Sequence, residues 1–78
     1  MTHLLSLIFD INKVIEFLSY ELKYSKKFCS NGFPSSYTNE DITKFNNEIE
    51  DIEKAIYHLR NIVVSLHGSV DDYINTNV

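Results

Sequence analysis

An all-α fold, an antiparallel two-helix hairpin, is what this 78-residue sequence predicts, and three observations carry the prediction. Apolar residues recur at alternating steps of three and four along two long stretches. A turn segment containing Gly32 and Pro34 separates the stretches near mid-chain. A Thr-x-x-Asp signal of the kind that opens helices stands at the start of the second stretch.

In the first stretch the spacing gives Leu4, Ile8, Ile11, Ile15, Leu18 and Leu22, followed by the weaker Ser25 and Cys29. This is a heptad seam, with Ile8, Ile15 and Leu22 at a and Leu4, Ile11 and Leu18 at d. Thr2 is placed to cap the helix, and Lys23, Lys26 and Lys27 lie toward its C-terminal end, where the helix dipole favours cations. The pattern predicts a helix over about 3–29.

Asn31-Gly32 supplies the left-handed residues that end helices, and Pro34 prevents continuation, so 30–37 reads as a loop. Thr38 and Asp41 have capping-box spacing, and Tyr37 and Ile42 occupy the positions of a hydrophobic staple. The second helix then carries Ile42, Phe45, Ile49, Ile52, Ile56, Leu59, Val63 and Leu66. Gly68 is the expected stop, which places this helix at about 38–67. The remaining 68–78 is a short tail, either frayed or forming one further turn through Tyr73 and Ile74. Two helices of similar length joined by a short loop pack antiparallel as a single domain.

Seventy-eight residues bury only about 60% of the surface the unfolded chain exposes, so the core is thin and needs support. The single Cys29 excludes an internal disulfide. His3, His58 and His67 are too scattered for a structural metal site, and no cofactor motif is present. Association with itself or with another protein remains. The formal charge of −4 opposes nucleic-acid binding, which needs dense Lys and Arg. Asp10 interrupts the N-terminal apolar run, no signal peptide is evident, and no stretch approaches a membrane span. The lone thiol fits a reducing compartment, so the expectation is a cytoplasmic protein with no membrane partner. Abundant Asn, Ile, Lys and Tyr suggest an AT-rich coding sequence such as a phage, mobile element or acquired island.

A partner is implied by apolar residues beyond the seam. Leu7, Val14 and Phe28 fall at g and Phe17 and Tyr24 at c, widening the apolar sector of the first helix to roughly half its circumference. The second helix adds Ala55 and Ile62 at g and Tyr57 and Val64 at b. One facing helix cannot cover so much, and burying each large side chain stabilises by about 1.5–3 kcal/mol. Leu7, Val14, Phe17, Tyr24 and Phe28 are therefore the candidate partner-binding residues. Three fates are open for them: a homodimeric four-helix bundle, a face for a different protein, or cover by the loop and tail.

Arg60-Asn61 followed by His67 resembles the Arg-polar-x4-6-His spacing of HEPN-type ribonucleases, which implies a cation and a proton-transfer imidazole on one helical face. Both residues fall at e, however, where such side chains commonly flank a seam with wet polar ends. That family usually has four or more helices, and the acidic balance here opposes RNA affinity. Glu48, Glu50, Asp51 and Glu53 spread over several faces and read as solvated surface. Cys29 has no His matched to it as a base, so no catalytic residue is assigned and the chain reads as a non-enzyme.

The stretch 48–66, EIEDIEKAIYHLRNIVVSL, resembles the second helix of the small co-chaperones of type III secretion needle subunits. The matching positions are Glu53, Ala55 and Ile56, followed by Leu59, Ile62, Val63 and Leu66. The resemblance implies a helical hairpin that pairs with a larger helical-repeat chaperone and keeps a secreted subunit from polymerising early. The loop with Gly32 and Pro34 is longer than that family's, which bears on the register of the two helices. The alternative with the same hairpin is a phage or mobile-element inhibitor or adaptor that sequesters a host protein.

Overall fold

The computed structural model describes the backbone of residues 2–77, and the side chains of these residues except 73 and 75–77. It contains two helices, α1 (Thr2–Ser30) and α2 (Asn39–Asn77), lying side by side as an antiparallel hairpin 62 Å long and about 16 Å across. The all-α hairpin read from the sequence is the observed architecture.

α1 ends as its sequence dictates. The Gly32 N–H donates to the Cys29 carbonyl at 3.1 Å, and Gly32 adopts a φ of +86°, a left-handed conformation that only glycine takes without strain. A turn follows in which the Tyr37 N–H donates to the Pro34 carbonyl at 3.0 Å. α2 opens on the reciprocal capping box: the Asp41 N–H donates to Thr38 Oγ1 at 3.1 Å, and the Thr38 N–H donates to Asp41 Oδ2 at 2.9 Å. The Thr38 N–H on the Asp41 carboxyl, with the Thr38 hydroxyl beside it, holds that carboxyl below its ordinary pKa of 3.8, because hydrogen bonds donated to the carboxylate favour the charged form.

The C-terminal boundary differs from the sequence reading. α2 does not stop at Gly68 but continues to Asn77, so the segment 69–77 is helix rather than a separate tail. The reason lies in the seam. Four residues beyond Leu66 stands Val70, again at a, and it is buried to 7% exposure. A glycine inside a helix costs about 1 kcal/mol relative to alanine, less than the burial of a valine contributes. Gly68 itself sits at f, with nothing within 4 Å of where a Cβ would lie. Ser69 does not cap a new turn; its Oγ donates to the Ser65 carbonyl within the same helix.

Among the described residues the buried ones are Ile8 and Ile15 from α1 and Ile56, Val63 and Val70 from α2, each spaced seven from the next within its helix. All five are a positions. The d residues Leu4, Ile11, Leu18, Ile52, Leu59 and Leu66 pack against this row but stay half-buried, as does Leu22. The two a rows therefore form the centre of the contact, and the d rows lie along one side of it. Lys26 Nζ lies 3.5 Å from Glu53 Oε1, joining e to e across the other side. That pair also fixes the axial register: Leu22 and Ile56 line one surface depression, and Ile15 with Val63 and Ile8 with Val70 follow at successive heptads.

Candidate functional site

In an antiparallel pair whose e edges meet on one side, the d and g edges of both helices share the opposite side. The rings of Phe28 at g and Phe45 at d, 5.2 Å apart between centroids, confirm that arrangement near the loop. The d/g flank is where the surplus apolar residues gather. Leu7, Val14, Phe17 and Tyr24 are exposed there on α1, and Ile62 is exposed beside the half-buried Ala55 on α2. Together with the half-buried Ile11, Leu18, Leu59 and Leu66 they form an apolar strip running over both helices at mid-length. Phe17 and Tyr24 form its outer rim, at 63% and 64% exposure, too open for rings retained merely as core.

Phe28 has a different place from the one its g position suggested. Its ring is half-buried and belongs to a cluster with Phe33 (5.8 Å), Tyr37 (6.0 Å) and Phe45, while Phe33 also meets Phe45 edge-on at 5.6 Å. The cause is the loop, which folds Phe33 and Tyr37 back over the end of the hairpin and uses Phe28 internally. Phe28 therefore anchors the loop end, with its ring half-buried. The signal for this was Phe33, a large apolar residue between Gly32 and Pro34 that a solvated loop has no reason to carry.

The opposite flank is more polar. Besides Lys26 and Glu53 it carries Arg60 and His67, both exposed at e. Arg60 borders the depression with Leu22, Glu53, Ile56 and Tyr57, and His67 does not line it. Apolar side chains are exposed here too: Leu5 and Ile74 at e, and Phe9, Tyr57 and Val64 at b. Two of these rings have local partners, with Lys13 Nζ 5.4 Å over the Phe9 ring and His58 5.7 Å from Tyr57. A wider depression lined by Asn39, Glu40, Thr43, Lys44, Asn47, Glu48 and Asp51 lies along α2 alone and is bounded by solvated polar groups.

Cys29 is half-buried, with its thiol directed at Asn46 Oδ1 at 3.9 Å, a weak link across the two helices. Among the described residues no three His, Cys, Asp or Glu side chains gather where a metal ion could sit. No described helix is long and apolar enough to cross a membrane.

The chain is thus an all-α helical hairpin with an uncovered apolar flank. No family model, curated protein or solved structure matches it.

Proposed function

We propose that this chain is a non-enzymatic protein-binding module whose d/g flank covers a complementary apolar strip on a helical partner protein. The observation that carries the proposal is the continuous run of half-buried d and exposed g and c residues over both helices: Leu7, Ile11, Val14, Phe17 and Leu18 on one, Leu59, Ile62 and Leu66 on the other. Helix-in-groove recognition uses anchors at this spacing. Aromatic residues on the rim, Phe17 and Tyr24, are of the type that dominates binding energy at protein interfaces. In the particular form that the 48–66 resemblance implies, the module is a cytoplasmic co-chaperone holding a helical-repeat chaperone and a secreted needle subunit together.

Co-purification of the tagged full chain from its native cell, with wild type beside the Phe17→Ser/Tyr24→Ser variant, tests the proposal. The expected result is a stoichiometric protein partner retained by the wild type and lost by the variant, with helical content unchanged by circular dichroism. A helical-repeat protein together with a small secreted subunit supports the co-chaperone form, whereas a single host regulator supports sequestration. Equal retention by both forms sinks the proposed flank.

A further inference from the structure

We infer that in the absence of another partner the d/g flank is covered by a second copy of the same chain, giving a four-helix bundle. The inference rests on the reading of this flank as a binding surface and names one occupant for it. Surface area supports that occupant. A compact monomer of 9.1 kDa exposes about 4,900 Å², whereas this chain exposes 6062 Å², an excess of roughly 1,200 Å². A standard protein interface removes about 800 Å² from each partner, and a hairpin 62 Å long and 16 Å wide offers a face of about 1,000 Å². A second hairpin of equal length matches that face from end to end.

Self-complementarity supports it as well. Ile11, Val14 and Leu18 on α1 and Leu59, Ile62 and Leu66 on α2 occupy the middle of the strip and carry no charge, so a two-fold axis crossing the hairpin at mid-length sets apolar residues on apolar residues. Acidic groups border the strip in both halves, Glu21 and Glu48 at g and Asp51 at c toward the loop and Asp10 and Asp72 at c toward the open end, and leave its middle uncharged. Packing of this kind would also bury the half-exposed d rows, which is the layer a four-helix bundle possesses and an isolated hairpin lacks.

Sedimentation equilibrium of the full chain over a wide concentration range, with Val14→Glu/Ile62→Glu and the opposite-flank control Val64→Glu, tests the inference. The wild type and Val64→Glu should have about twice the 9.1 kDa chain mass. The double variant enters each interface twice and should weaken self-association about 30-fold or more. Val14 and Ile62 are nearly half exposed in the hairpin, and circular dichroism checks that the helices persist. Phe17→Ser/Tyr24→Ser, more exposed still, repeats the comparison should the double variant unfold. A wild type that stays monomeric overturns the inference, and so does a dimer that Val64→Glu breaks and Val14→Glu/Ile62→Glu spares. A monomeric wild type whose co-purified partner is lost in the double variant overturns self-association alone and leaves the binding-module reading standing.

Discussion

The two glycines give opposite predictions for one and the same substitution. Gly68 lies inside α2 with an ordinary helical backbone, and the space where a Cβ would project is empty. Alanine there should stabilise the chain by about 1 kcal/mol, the difference in helix propensity between the two residues. For a domain of this size such a gain raises Tm by about 4–8 °C. Gly32 also has open space around it, but its φ of +86° is a conformation that costs any residue with a Cβ about 1–2 kcal/mol. Gly32→Ala should therefore lower Tm by a comparable amount. The assay is thermal unfolding by far-UV circular dichroism of both variants at one fixed protein concentration, because association coupled to folding makes Tm concentration-dependent. A fall in Tm for Gly68→Ala would refute the reasoning, since it would mean that Gly68 ends the helix in a left-handed conformation and that Val70 lies outside the core.

Other substitutions probe separate parts of the hairpin. Val70→Ala should cost about 2 kcal/mol, two buried methyl groups plus the space they leave, and denaturant unfolding should show a lower midpoint than for Ser69→Ala, which alters only the exposed surface. Thr38→Ala removes the hydroxyl that accepts from the Asp41 N–H and should cost about 1 kcal/mol in the same assay. Asp41 has a folded pKa below 3.8, so its contribution to stability is present above that value and is lost as pH falls through the folded pKa. An NMR titration should place its midpoint below 3.8, and Asp41→Asn should flatten this part of the acid-unfolding curve; an unshifted midpoint would contradict the capping hydrogen bonds.

Local chemistry was the most legible part of the sequence. The capping box of Thr38 and Asp41 and the left-handed Gly32 depend only on residues within a few positions of each other, and each has the predicted geometry. The seams were legible because a period of three and four survives any tertiary arrangement. Which row of the seam is central was not, since a and d recur equally often, although a hint was present: the buried a positions are all β-branched, Ile8, Ile15, Ile56, Val63 and Val70, and the d rows are richer in leucine. The end of α2 is not legible at Gly68, because a local propensity there says nothing of the tertiary burial of Val70 two residues later. The ring partners of Phe28 are not legible from periodicity, which describes a helix alone, because Phe33 and Tyr37 come from an aperiodic loop.

The aromatic knot at the loop end also sets an order of events in time. Phe28 and Phe45 are 17 residues apart in the chain, whereas Ile8 and Val70 are 62 apart. Closing the shorter loop costs about 1 kcal/mol less in chain entropy, so the hairpin should zip from the turn toward its free ends. Stopped-flow kinetics should then divide the molecule in two. Phe33→Ala at the turn should mainly slow folding, and Val70→Ala near the open end should mainly speed unfolding. An equal split at both positions would mean that the helices meet along their whole length at once.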